Sequence, residues 1–198
     1  MTPTPATPAI RRSDWWLVFR KFLKHGTSIA TFVPSSKFLA RQIIAGIDFD
    51  TVKCLVELGA GTGPITVELL KRVKSHTKLL IVELDPDFCR RLRERFPNAD
   101  IIEGDAAHLD ELLKGRGITQ VDHVISGLPL PSFPPEVRAS IIESATKVLA
   151  PHGTFRQLTV IPLVYWKLYR TYFPDVRFKL VPLNFPPAGV YVCKPEVR

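Results

Sequence analysis

Three acidic side chains and three glycines carry the chemistry legible in this chain. Val56-Glu57-Leu58-Gly59-Ala60-Gly61-Thr62-Gly63 reads as a strand running directly into a glycine turn, with a helix starting at Pro64. Glycine permits the tight turn and opens the backbone to a ligand, and the following helix presents unpaired N–H groups. A dinucleotide-binding turn is spaced G-x-G-x-x-G and would need glycine at position 64, where this chain has proline, so the spacing here is G-x-G-x-G. Glu83 stands about 20 residues beyond Gly63, at the end of the next expected strand, where a carboxylate accepts hydrogen bonds from both ribose hydroxyls. Asp105, in Glu103-Gly104-Asp105-Ala106, ends the third expected strand and is placed to hold an adenine amino group. At the carboxyl ends of three consecutive strands, the acids converge on one crevice suited to a nucleoside-bearing ligand.

Such residues need a framework of short strands and covering helices. Strands are expected at residues 53–57, 79–83, 100–103, 121–126 and 153–160, with helices at 64–73, 86–95, 135–149 and 163–173 between or after them. This alternation predicts a parallel sheet covered on both faces. Residues 176–181 and 189–193 predict a terminal hairpin that adds an antiparallel strand. Upstream, residues 35–45 read as a helix with Ser35 or Ser36 as its N-cap. Residues 13–24 read as another, with Trp15, Trp16, Val18, Phe19, Phe22 and Leu23 on one broad face. Residues 1–9, rich in proline and uncharged, read as a disordered leader. The remainder, 10–198, is expected to be a single domain: an amphipathic helix at 10–26, a helical cap at 27–50 and an α/β core at 51–198.

Composition bounds the function classes. A chain of 198 residues with 45% hydrophobic content supports one substantial core. Cys54, Cys89 and Cys193 are widely spaced and lack a CxxC or Cys/His pattern, which indicates neither a disulfide framework nor zinc, and suggests a reducing compartment. No apolar run approaches the roughly 20 residues that span a bilayer. A net charge of +8 implies an anionic partner, either nucleic acid or acidic lipid.

The glycine turn with Glu57, Glu83 and Asp105 resembles the class I S-adenosylmethionine-dependent methyltransferase family, over roughly residues 35–193. The resemblance implies a Rossmann-like α/β fold: a seven-stranded, mostly parallel sheet with an antiparallel last strand, preceded by N-terminal amphipathic helices. It implies S-adenosylmethionine across the strand ends, with S-adenosylhomocysteine as product. Carried over by position, Glu57 with Gly59, Gly61 and Gly63 serves the methionine portion, Glu83 and Leu84 the ribose, and Asp105 with Ala106 the adenine. Ser35 and Ser36 fall among the cofactor contacts, and Ser126 with Gly127 flanks the reacting methyl. No metal is called for, because a sulfonium is already an activated donor.

The loop Ser126-Gly127-Leu128-Pro129-Leu130 occupies the place where base-methylating relatives carry an asparagine-like residue, then an aliphatic residue, a proline and an aromatic ring. Here Gly127 replaces the asparagine of ribosomal RNA adenine dimethyltransferases and Leu130 the ring, so the site is poorly equipped for a flipped base. Residues 24–40, which include Pro34-Ser35-Ser36-Lys37-Phe38-Leu39-Ala40, together with this loop resemble bacterial phospholipid N-methyltransferases that convert phosphatidylethanolamine to phosphatidylcholine. That resemblance implies successive N-methylation of a phospholipid headgroup, with Ser126, Gly127, Leu128 and Pro129 as a substrate loop. Among the tyrosines Tyr165 and Tyr191 are candidates to hold the methylated ammonium by cation–π contact, while His25 and His108 are available bases.

In the N-terminal helix Arg11, Arg12, Arg20, Lys21 and Lys24 oppose Trp15, Trp16, Phe19 and Phe22, a composition for lying in a membrane interface. The expected location is therefore the inner face of the cell membrane, in peripheral association from the cytoplasm. A rival role for the same helix is a lid over the cofactor. Two alternatives stand beside the lipid reading: an enzyme like the ribosomal RNA adenine N6-dimethyltransferases, and a membrane- or nucleic-acid-binding module that keeps the fold without transfer.

Overall fold

The computed structural model describes residues 33–159, 165–181 and 188–196. Its centre is β1 (Cys54–Leu58), flanked by β2 (Lys78–Glu83) and β4 (Val121–Ser126); β3 (Asp100–Glu103) lies outside β2 and β5 (Leu149–Thr159) outside β4. All five run parallel, and every residue of β1 is buried, as expected of a strand covered on both faces. The last two strands, β6 (Asp175–Val181) and β7 (Ala188–Lys194), form an antiparallel pair, and β7 inserts between β5 and β6. The sheet order β3-β2-β1-β4-β5-β7-β6 is the seven-stranded, mostly parallel arrangement expected from the sequence.

Register sorts the strand side chains onto two faces. One face carries Leu55, Ile125 and Val190, which pack against Ala40 and Ile43 of α1 (Val33–Ile43) and Ile65 and Leu69 of α2 (Pro64–Leu70). Farther along it, Ile81 and Ile101 meet Cys89 and Leu92 of α3 (Pro86–Arg95). The other face carries Phe155, which stacks on Phe173 at 5.5 Å, and Tyr191, which lies 4.7 Å from Tyr169 of α6 (Trp166–Arg170). Between β3 and β5 come a tight turn at Ala106–His108, α4 (Leu109–Lys114) and α5 (Pro135–Val148).

Several expected boundaries move, each for a local reason. α1 begins at Val33, so Ser35 and Ser36 lie inside its first turn and are not its N-cap; Pro34 sits where a missing N–H costs nothing. α2 stops at Leu70, where Arg72 and Val73 N–H both turn back to the Leu69 carbonyl and tighten the chain. β5 starts at Leu149, four places earlier than expected, through a register shift against β4. Gly153 makes this bulge feasible, because a Cβ there would lie 2.7 Å from the Asp122 carbonyl oxygen. α6 covers Trp166–Arg170, with Pro174 closing the turn that follows; residues 160–164 of the expected helix lie outside the described residues. The turn at Ala106–His108 and α4 were not read from the sequence, being too short to show a period.

A buried carboxylate joins the first two helices. Glu68 on α2, nearly fully buried, meets Arg41 of α1 at 3.2 Å, Lys71 at 2.8 Å and Arg72 at 3.0 Å. The Lys71 hydrogen bond, with those from Arg72 and Arg41, outweighs desolvation and holds this carboxyl down to about 2, from 4.5. A depressed folded pKa contributes stability that is complete above about 4.5 and is lost as pH falls through about 2. Urea titrations between about pH 5 and 2 are expected to show a loss of stability that Glu68→Gln largely removes.

Candidate cofactor and substrate site

The direction of strand succession reverses between β1 and β4, which opens a crevice beyond the carboxyl ends of the central strands. Backbone bonds extend the alignment past the strands. Gly59 N–H donates to the Val82 carbonyl at 2.8 Å, Gly104 N–H to that of Glu83 at 2.9 Å, and Gly127 N–H to that of Leu58 at 2.9 Å. The glycine turn, the Asp105 loop and the Ser126 loop therefore lie along one rim.

Space and backbone conformation require glycine at position 59, and conformation alone favours it at 61. Gly59 has φ +71°, and a Cβ there would run into the Leu128 side chain. Gly61 has φ +55°, and a Cβ there would meet nothing within 4 Å, so the backbone of the turn faces open space.

Glu57 is fully buried near the end of β1. Its Oε2 accepts a hydrogen bond from Thr66 Oγ1 at 2.7 Å, while Oε1 is buried without a partner among the described residues. Burial dominates and pushes this carboxyl up to about 8; the Thr66 hydrogen bond opposes the shift and the nearby Glu83 charge adds to it. A buried acceptor left unpaired costs about 1–3 kcal/mol. A ligand ammonium group would satisfy it, so the residues present fit the amino-acid end of S-adenosylmethionine.

Glu83, buried at the end of β2, holds the turn itself. Its Oε2 accepts from Gly61 N–H at 2.8 Å, and Oε1 accepts from Leu84 and Asp85 N–H at 2.8 and 2.9 Å. Burial raises its pKa against the three backbone donors. A carboxylate offers about four acceptor sites, so about one remains for a ribose hydroxyl, where the sequence suggested room for two. Asp105 is half-buried and accepts from Ala107 N–H at 2.9 Å, which starts the turn containing the buried Ala106. Among the described residues no cluster of His, Cys, Asp or Glu is placed to hold a metal ion.

On the far wall, Ser126 is buried, with Oγ 3.4 Å from Leu128 N–H. Gly127 is exposed; a Cβ there would lie 3.0 Å from the Gly59 carbonyl oxygen. Pro129 is half-buried, and Leu130 is wholly buried. Tyr165 is half-buried, while Tyr191 is fully buried among Trp166, Tyr169 and Phe178, with centroids 6.4, 4.7 and 4.9 Å away. His108 is half-buried, with Nδ1 3.7 Å from Glu111. The segment carrying Arg11, Arg12, Trp15, Trp16, Phe19, Arg20, Lys21, Phe22 and Lys24, with His25, lies outside the described residues, as do the side chains of Ser35 and Ser36.

Sequence reading missed three side chains that shape the site: Thr66, Arg156 and Gln157. Thr66 is the donor to Glu57. Arg156 Nη1 donates to the Ile43 and Ala45 carbonyls at 3.0 and 2.8 Å, which secures the end of α1. Gln157 Nε2 donates to the Leu128 carbonyl at 2.7 Å and that of Leu158 at 2.8 Å. In the sequence they are ordinary polar residues within a helix or an alternating strand.

The methyltransferase-domain family model matches residues 55–153. Across most of its length the chain is similar to the ornithine lipid N-methyltransferase of Singulisphaera acidiphila, at 47% identity over 91% of this chain and 96% of that protein. A probable ribosomal RNA small subunit methyltransferase A of Methanosarcina barkeri is 34% identical over 54% of this chain, but over only 34% of its own length. In fold the chain resembles the Burkholderia thailandensis 1,6-didemethyltoxoflavin-N1-methyltransferase solved with S-adenosylhomocysteine. That likeness has a TM-score of 0.71 at 15% identity and covers 98% of this chain and 93% of that one.

Glu57 generates a pH test. Its folded pKa lies above the ordinary 4.5, so the folded chain holds more protons than the unfolded one between about 4.5 and 8. This contribution to stability is complete below about 4.5 and is lost as pH rises through about 8. Glu57→Gln is expected to flatten that slope in thermal melts of the ligand-free chain, while calorimetry shows cofactor affinity weakened at least about tenfold.

Proposed function

This chain belongs to the S-adenosylmethionine-dependent methyltransferase family, as an N-methyltransferase, and we propose that its acceptor is the headgroup amine of a membrane lipid. The observation that carries this reading is the 47% identity, along nearly the whole of both chains, to a protein named for methylating ornithine lipid. Two headgroups follow as substrates: ornithine lipid, from that relative, and phosphatidylethanolamine, from residues 24–40 and the Ser126–Leu130 loop. Both present an aliphatic amine, the acceptor chemistry common to the two.

When bound, S-adenosylmethionine supplies a methyl group on a positively charged sulfur that a neutral amine can attack without a metal. The chain's work is to seat the cofactor's ammonium on Glu57 Oε1, present the open backbone at Gly61, and hold the Ser126–Leu130 loop close to the glycine turn. The headgroup ammonium loses its proton before attack, and departure from water at the crevice favours the neutral amine.

The loop geometry speaks against a nucleobase acceptor. A side chain at position 127 would crowd the Gly59 carbonyl, and Leu130, fully buried, offers no ring on which a base stacks. The likeness to ribosomal RNA methyltransferases spans about half of this chain and about a third of the Methanosarcina protein.

Among the described residues no helix is long and apolar enough to cross a membrane. The basic and aromatic sequence from Arg11 to Lys24 supports docking on anionic lipid. Loss of residues 1–25 is expected to weaken sedimentation with anionic vesicles and reduce its salt sensitivity; unchanged binding would remove this segment from the docking surface.

Radiolabelled S-adenosylmethionine offered in parallel with ornithine lipid vesicles, phosphatidylethanolamine vesicles and unmodified ribosomal RNA tests the acceptor. Label is expected in lipid; label confined to RNA would overturn the reading.

A further inference from the structure

Gln157 sits on β5 beside Ser126 of β4 and Tyr191 of β7, at the end of the sheet that opens on the crevice. Its side chain is fully buried, and the orientation of its amide is fixed by its surroundings. The Leu128 and Leu158 carbonyls, at 2.7 and 2.8 Å, can only accept hydrogen bonds, so the NH2 faces them and Oε1 faces away. That oxygen is buried and receives no hydrogen bond from the described residues. A neutral acceptor without a donor, behind the carbonyl that shapes the Ser126–Leu130 loop, is placed for a ligand that brings an N–H.

We propose that Gln157 Oε1 accepts an N–H hydrogen bond from the substrate amine and so orients its lone pair toward the methyl donor. The inference rests on the lipid-amine reading above. In the transfer, the nitrogen lone pair forms the new N–C bond while the C–S bond breaks with its electrons remaining on sulfur. The nitrogen becomes cationic, its remaining N–H bonds become stronger donors, and the acceptor therefore binds the transition state more tightly than the neutral amine. The ammonium product then gives a proton to water. A neutral primary amine brings two N–H bonds to the step, a monomethylated amine one and a dimethylated amine none. Gln157 thus acts on the first two transfers and has no part in a third, and it has no hold on a trimethylated headgroup.

Short-chain forms of both lipids, unmethylated and trimethylated, are titrated into the S-adenosylhomocysteine complex of the full chain and of Gln157→Met, which keeps side-chain length without the amide. For the headgroup the wild-type chain binds, the variant is expected to weaken the unmethylated form roughly ten- to a hundredfold and leave the trimethylated form unchanged. Transfer to the unmethylated amine falls in parallel. Gln157→Glu, which keeps an oxygen at this place, is expected to recover part of the loss, and unaltered S-adenosylhomocysteine affinity confirms that both variants fold. Equal weakening of both headgroups makes Gln157 only a prop for the Leu128 loop and overturns the assignment, as does no weakening at all. Failure of the wild-type chain to bind or methylate either lipid overturns the lipid reading itself.

Discussion

The site depends on a buried carboxylate bound to backbone. Glu83 ends β2, yet its two oxygens take N–H groups from the glycine turn that follows β1 and from the residues that lead into α3. A glycine turn is conformationally loose, and ordering it costs more entropy than ordering any other sequence. One carboxylate that spans two loops offsets that cost and fixes the open face at Gly61. The same burial raises the pKa of Glu83, and the charge of Glu83 adds to the burial-driven rise at Glu57. Two neighbouring acids in a desolvated crevice are costly without a ligand, a common arrangement where a site is prepared for a cation.

The opposite wall is organised from β5. Arg156 and Gln157 are adjacent, so strand alternation sends them to opposite faces of the sheet. Arg156 holds the carboxyl end of α1 through two carbonyls, and Gln157 holds the Ser126–Leu130 loop through another. Two consecutive side chains thereby set the positions of a helix on one face and of the Ser126–Leu130 loop on the other. Among the described residues the hydrogen-bond partners of Arg156 are neutral; burial lowers its pKa to about 10, which leaves it charged at neutral pH. Arg156 thereby satisfies carbonyls that a helix end leaves without intrahelical partners, and Gln157 adds a second donor to the Leu128 carbonyl, which also accepts Leu130 N–H.

The loop between the walls bears on acceptor chemistry by exclusion. Gly127 packs against the Gly59 carbonyl, and Gly59 in turn has no room for a side chain because of Leu128. This mutual close approach seals the floor of the crevice with backbone and leucine. An aliphatic amine, slender and needing only desolvation and one or two hydrogen bonds, suits such a floor better than a planar base that needs a stacking surface.

The sequence by itself determined the order of the strands and of the longer helices, the glycine turn and the three acids at strand ends. Each depends on local pattern: apolar runs of strand length, Pro after a turn, and an acid at a fixed distance along a βαβ unit. It also placed α3 correctly from residue 86, where Asp85 caps and Pro86 follows. Tertiary structure decided what those patterns do not encode. The start of β5 moved to Leu149 because a bulge requires contact with β4, and β7 entered between β5 and β6 because register is a long-range choice. Glu83 proved to be tied to backbone donors from two loops, Leu130 turned inward, and Gln157 came to share a buried end of the sheet with Ser126. Those outcomes arise from contacts between residues tens of positions apart, where neither propensity nor spacing carries information and only the packed sheet brings donor and acceptor within reach.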